Sequence, residues 1–293
     1  MRILICGGTG FLGRHIVNAL IHAGHDPVVR SRHSDPALDF AQATTVEAWL
    51  PHLQNVDAVV NAVGALRDTP ARPLDMLHTA APMALFDACA QAGIRRVVQV
   101  SALGVHEGDT RYASTKRAAD AHLLALNATG RLHGVVVRPS VIFGAGGAST
   151  ELFLALARLP VLLLPQAVRD SFIQPVAVRD LADVLARMAV HDAPAGIVNL
   201  GGPEPVALGS LIASLRTQMG LGPAMVGSLP QWASVASAKI GDRISILPWC
   251  SETLALLQHS SVTDPQTLAD LLDRAPVPPQ RLYATLPGKG RKS

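Results

Sequence analysis

The amino-acid sequence predicts an α/β protein: a doubly wound parallel sheet with a smaller, mostly helical C-terminal lobe. Three observations point there. Up to about residue 145, short apolar runs alternate with segments of helical apolar spacing. The runs are Val/Ile-rich and unbroken, as in strands covered on both faces. Aromatic residues make up only 4% of the chain, while Ala, Leu and Val dominate, which favours helices on a sheet over an all-β sandwich.

The elements follow in order. RILICGG (2–8) reads as a strand ending in glycine, and residues 9–25 as a helix with apolar positions Leu12, Ile16, Ala19, Leu20 and Ala23, closing on Gly24. PVVRS (27–31) is a second strand, so one β–α–β crossover unit fits in the first thirty residues. VDAVVNAVG (56–64) is a buried strand, 76–93 a helix closed by Gly93, 95–104 a strand, 110–128 a helix and 134–144 a strand. The rhythm then loosens: a helix at 150–159, a strand near 172–178, a helix from Asp180 to about Val190 and a strand at 197–206. Beyond 207 the chain reads as mostly helical, including 203–220 and 251–262. The expected division is a Rossmann-like domain at 1–200 and a C-terminal substrate or interaction lobe at 201–293, placed over the strand ends where α/β ligands bind.

Composition excludes several classes. The net charge is +3, and part of it sits in Lys289, Arg291 and Lys292, read as a disordered basic tail. No basic stripe with interleaved aromatics appears, so no nucleic-acid partner is expected. Cys6, Cys89 and Cys250 are far apart and make no C-x-x-C, arguing against a disulfide framework or zinc site; a reducing cytoplasm fits. No metal site is expected, His22 and His25 being the polar end of a helix. The start, MRILIC, is a strand running straight into glycines and is not read as a signal peptide. The apolar stretch 152–165 is broken by Arg158 and Pro160, and 217–238 is too polar to span a bilayer. Peripheral contact with the inner face of a membrane, a protein partner and a homo-oligomer all stay open.

CGGTGFLG (6–13) carries the first chemical signal, a G-x-G-x-x-G pattern between a strand and a helix. Gly7 and Gly10 let backbone N–H groups approach a pyrophosphate, the helix N-terminus adds partial positive charge, and Gly13 lets helix pack on strand. The expected dinucleotide cradle is Gly7, Thr9, Gly10, Phe11, Leu12 and Gly13. After the second strand, an acid would select NAD by accepting from a ribose hydroxyl, whereas arginine suits a 2′-phosphate. VVRSRHSD offers Arg30 and Arg32 before the first acid, Asp35, so NADP(H) is preferred and NAD(H) is the alternative.

RYASTKRAAD (111–120) carries the second signal. The chain has two tyrosines and four lysines, and Tyr112 and Lys116 are spaced to stack on one helix face. An ammonium beside a phenol lowers a pKa that is otherwise about 10, making it fit for proton transfer near neutrality.

Together, GGTGFLG, VVNAVG, VVQVSALG, YASTK, VVVRPSVIFG and QPVAVRDLADVL resemble the short-chain dehydrogenase/reductase superfamily across the whole chain. GGTGFLGRHIV, SALG and the lobe after GGPEPV are similar to its atypical, extended-like branch. That branch includes the NAD(P)H-binding accessory subunit of respiratory complex I and bacterial NAD-dependent epimerase/dehydratase-like proteins. The resemblance implies Tyr112 as general acid/base and Lys116 as its partner, also holding the nicotinamide ribose. It implies Ser101 as the group orienting the substrate oxygen, Ala62, Val63 and Gly64 on the adenine side, and Pro139 with Val141 on the nicotinamide side. Only a short loop separates Ser101 from Tyr112, which argues against a sugar-nucleotide substrate. The expected function is NADP(H)-dependent reduction of a small carbonyl or quinone-like compound. The alternative is a non-catalytic NAD(P)H-binding sensor or accessory scaffold.

Overall fold

A computed structural model describes residues 1–32, 34, 36–70, 72–191, 194–229 and 261–288. The chain forms two compact units, one of residues 1–138 with 181–198, the other of 139–180 with 199–293. Residues 139–180 thus belong to the second unit.

The first unit opens with β1 (Arg2–Cys6), α1 (Phe11–His22) and β2 (Asp26–Arg30). Helix α1 ends in a Schellman turn: Gly24 takes φ +77°, and the His25 N–H donates to the Leu20 carbonyl. A short helix α2 (Val46–Trp49), capped by the Thr45 hydroxyl, precedes β3 (Ala58–Asn61). Next come a π-helical turn (Asp75–Ala80), α3 (Ala81–Ala92), β4 (Arg96–Val100), α4 (Arg111–Ala128) and β5 (His133–Pro139). The remaining elements are β6 (Ile142–Phe143), α5 (Ala148–Arg158), β7 (Val161–Pro165), α6 (Gln166–Arg169), β8 (Phe172–Ile173), β9 (Val176–Ala177) and α7 (Val178–Val190). They end with β10 (Gly196–Leu200), β11 (Val206–Ala207), α8 (Leu208–Gln218), β12 (Met225–Leu229) and a last helix at Gln266–Leu272.

The main sheet has the order β10-β5-β4-β3-β1-β2, with β2 through β5 paired in parallel. Because neighbouring side chains alternate between faces, Leu4, Val59, Val97 and Val136 meet Trp49, Leu85, Phe86 and Leu123 on one side. Ile3, Ile5, Val60 and Val98 point to the other and are also fully buried. Both faces are therefore covered, as the unbroken apolar runs imply. The strand order reverses at β1/β3, the switch point where ligands of such sheets bind.

In the second unit α5 and α8 contribute Phe153, Leu154, Leu211, Ile212 and Leu215 to an apolar cluster that includes Leu282. Three two-stranded sheets accompany it: β6 with β9 and β7 with β12 in parallel, β8 with β11 antiparallel. The β7/β12 ribbon falls in the apolar stretches 152–165 and 217–238, which the sequence does not mark as strands. Most of the helix expected at 251–262, Cys250, Asp35 and the basic tail lie outside the described residues. Among the described residues, no helix is long and apolar enough to cross a membrane.

Candidate active site

The glycine loop is built by close approach. Gly7 has φ +79°, and a Cβ there would lie 3.1 Å from the Ala62 carbonyl and the Val63 nitrogen. At Gly13 a Cβ would sit 2.1 Å from the Gly7 carbonyl oxygen, so only glycine lets the first turn of α1 rest on the loop. The Gly10 N–H closes the turn on the Gly7 carbonyl at 2.8 Å. Thr9 and Gly10 are exposed, whereas Phe11 is half-buried and Leu12 is buried. The α1 N-cap is Gly10; no side chain caps the helix and its first turn holds no acid. Its leading N–H groups are thus left for an anion. This cradle fits the pyrophosphate of a dinucleotide.

The two arginines after β2 separate. A Cβ on Gly8 would meet Val29 at 2.6 Å, so Val29 faces the glycine loop. Alternation turns Val28 and Arg30 to the other face, where both line a cavity of about 320 Å³ with Arg2, Pro51, His52 and Asn55. There, burial and the neighbouring Arg30 charge hold the His52 imidazole below its ordinary pKa. Arg32 lies past the end of β2 and is exposed.

The end of β3 and the first turns of α4 form the other half. The Ala62 N–H donates to the Cys6 carbonyl at 3.0 Å, and the Val63 N–H to Asn61 Oδ1 at 3.2 Å. Asn61 in turn donates to Gln99 at 2.8 Å, tying two buried strands by their side chains. Thr110 caps α4 through its hydroxyl. One turn apart on that helix, Tyr112 and Lys116 are both buried, at 9% and 4% exposure. Lys116 Nζ donates to the Val100 carbonyl at 2.9 Å and the Val63 carbonyl at 3.3 Å. Burial lowers its pKa from 10.5 to about 8, with the nearby Asp120 carboxylate pulling the other way. A Cβ on Gly64 would lie 3.6 Å from that ammonium, so the turn closes tightly over it.

Ser101 is buried at the end of β4, and its hydroxyl donates to Asp120 Oδ2 at 2.8 Å. Arg138 Nη2 and Nε reach the same oxygen at 3.0 and 3.2 Å. Burial raises the Asp120 pKa, while Ser101 and Arg138 pull it down. Asp120 and Arg138 are site residues that the sequence reading did not single out, although Asp120 continues the four-residue spacing of Tyr112 and Lys116. His78 is another. It lies in the π-helical turn, 1% exposed, with its ring edge-on to Tyr112 at 5.3 Å. Of the remaining predicted residues, Pro139 is buried at the end of β5 and Val141 packs on the apolar cluster of the second unit.

Residues 3–201 match the family described as NAD dependent epimerase/dehydratase family. The chain belongs to this family. Its members' nucleotide-dependent chemistry agrees with the cradle at Gly7–Gly13 and with the fold. Among curated relatives, ceramide reductase of Caulobacter vibrioides is 30% identical over 192 residues, 61% of this chain and 58% of that protein. The photosystem II assembly factor Ycf39 of Synechocystis is 37% identical over 116 residues, 36% of this chain and 35% of that protein. The matched segments thus span less than two thirds of either relative. Among solved structures, MoeE5 in complex with UDP-glucuronic acid and NAD has a TM-score of 0.72 at 20% identity, covering 99% of both chains. The NADPH-dependent quinone oxidoreductase QOR2 from Escherichia coli, complexed with NADPH, has a TM-score of 0.72 at 17% identity, covering 95% of this chain and 97% of that one. The family match and the structural likenesses together give the chain a Rossmann-like fold within an NAD-dependent family.

Proposed function

We propose that this family member is an NADP(H)-dependent oxidoreductase that reduces a small carbonyl or quinone-like compound, with Tyr112 as proton donor. The observation that carries the reading is Tyr112 one helical turn from Lys116, whose buried ammonium is clamped between the Val63 and Val100 carbonyls. NADPH, when bound, supplies the hydride. Tyr112 gives its phenolic proton to the substrate oxygen as the carbonyl carbon is reduced, and the phenolate regains a proton from water. Lys116 stabilises that phenolate and holds the turn at Val63–Gly64. Exposed Arg32 is the residue for a 2′-phosphate, with Arg30 turned to the other face. A relative named as a reductase and a structural neighbour holding NADPH support this reading.

Two observations favour a non-catalytic binding protein as second reading. The Ser101 hydroxyl is committed to Asp120, and one relative is named an assembly factor. Thermal unfolding with NADH, NAD, NADPH or NADP separates cofactor choice. A ligand at a hundred times its dissociation constant adds about 2.7 kcal/mol, and the shift is expected to be larger for the phosphorylated pair. NADPH oxidation over a carbonyl and quinone panel, with Tyr112→Phe as control, then tests catalysis. The expected outcome is turnover by wild type and at least a hundredfold loss in the variant. Equal inactivity with equal NADPH binding selects the second reading.

A further inference from the structure

His78 is a buried histidine that the proposed chemistry does not use. Its surroundings determine its proton. The Ala65 N–H donates to Nε2 at 3.1 Å, so Nε2 carries the lone pair. The ring is neutral, because burial and the Lys116 charge lower its pKa to about 2. The single ring proton is therefore on Nδ1, which donates to Thr115 Oγ1 at 3.2 Å. The Thr115 hydroxyl in turn donates its one hydrogen, shared between the Arg111 carbonyl at 2.8 Å and the Tyr112 carbonyl at 3.1 Å, back along α4. Thr79, next to His78, adds a bond from its hydroxyl to the Thr115 carbonyl at 3.1 Å. Each donor in this chain has an acceptor, and the chain runs in one direction: Ala65, His78, Thr115, then the first turn of α4.

Two features give that chain consequences. It begins on the turn after β3 and ends on the helical turn that carries Tyr112. The ring itself stands edge-on to Tyr112, with an interplanar angle of 87°, and restricts how the phenol can rotate. The π-helical geometry of residues 75–80 supplies the extra residue per turn that aims the ring inward.

We infer that His78 is a positioning residue: a neutral staple that fixes the Gly64–Ala65 turn against α4 and holds the Tyr112 ring in place for proton transfer. It acts through Ala65, Thr115 and Tyr112. The inference rests on the reading of Tyr112 as proton donor for its effect on turnover, but not for its effect on the cofactor turn.

The test uses the full chain and NADPH, with wild type, His78→Phe, His78→Gln, Thr115→Val and Tyr112→Phe compared for thermal midpoint, NADPH dissociation constant and turnover. Phenylalanine keeps a ring beside Tyr112 but loses both hydrogen bonds. Glutamine carries an amide oxygen near the Nε2 position and keeps an acceptor for Ala65. The expected result is a tenfold or greater loss of NADPH affinity in His78→Phe, restored to within threefold of wild type by His78→Gln. Wild-type affinity in His78→Phe, or equal weakness in both variants, overturns the staple. If His78→Phe does not fold, Thr115→Val decides by the same affinity: a tenfold or greater loss of NADPH affinity supports the staple, and wild-type affinity rejects it. Should Tyr112→Phe be as active as wild type, the proton-donor reading falls, and the affinity comparison still judges the staple alone.

Discussion

The glycine loop and the buried polar cluster beneath α4 lie at the same ends of the strands and are built in opposite ways. At Gly7–Gly13 side chains are removed so that backbone can approach backbone, down to a would-be Cβ distance of 2.1 Å. Beneath α4, polar side chains are packed in: His78, Ser101, Thr115, Lys116 and Asp120 are all buried. The first region presents backbone N–H groups, which every residue except proline possesses, so its sequence demand is for the absence of atoms. The second holds particular protons and charges, each dependent on a partner elsewhere in the chain. Substitutions should therefore fail sterically in the loop and electrostatically in the cluster.

The largest effect is expected at the Asp120–Arg138 pair. Arg138 is 11% exposed at its side chain and Asp120 1%, so removing either partner strands a charge in a poorly solvated place. Asp120→Ala should cost about 3–5 kcal/mol in urea unfolding. It also strips the Ser101 hydroxyl of its acceptor. The double variant Asp120→Leu with Arg138→Met should be milder than Asp120→Ala, because the two partner charges go together and the neighbouring Lys116 ammonium keeps its Val63 and Val100 carbonyls. If the double variant cost as much as Asp120→Leu and Arg138→Met measured singly and summed, the two groups would not interact.

Next comes Gly13→Ala. Its new methyl overlaps the Gly7 carbonyl and the Gly8 Cα, both backbone, so the loop or the helix must shift. A loss of about 1–3 kcal/mol is expected, together with weaker NADPH binding in the same thermal assay. Gly10→Ala is the contrast: its nearest neighbour is the Gly7 oxygen at 3.1 Å. It should lose less stability than Gly13→Ala.

This contrast also explains what was legible. The main sheet, its helices and the glycine loop can be read locally, since apolar periodicity and the strand–glycine–helix order lie within a few residues of one another. Tyr112 and Lys116 are legible for the same reason, and Asp120 extends their spacing by one more turn. His78 is not: it is one of eleven histidines, and its role arises from Ala65, 13 residues away, and Thr115, 37 away. Arg138 likewise acquires its meaning from Asp120 across the fold. Arg30 and Arg32 look equivalent as a pair, and only the end of β2 at Arg30, which leaves Arg30 lining the cavity and Arg32 exposed beyond the strand, tells them apart. VLLLP at β7 follows Pro160 as a Leu-rich run without alternation, so nothing local marks it as a strand, and its partner β12 is 64 residues further on.

The smallest effect concerns the proton on Lys116. Its pKa falls from 10.5 to about 8 on burial, so between those values the unfolded chain holds more protons than the native one. Stability then rises with pH across that window, and the cost of burying the ammonium is fully present below about pH 8. Cys6 and Cys89 oppose the trend, because burial raises both thiols and stability falls once the unfolded thiols ionise near pH 9. Subtracting the Lys116→Met variant removes that background. Methionine leaves the Val63 and Val100 carbonyls without the ammonium donor, but this offset does not vary with pH. The difference in unfolding free energy, wild type minus variant, should climb by about 1 kcal/mol between pH 8 and pH 9 in urea titrations. A flat difference would mean that Lys116 titrates like an exposed lysine. The ammonium would then be well solvated, and its charge would give little support to proton transfer at Tyr112.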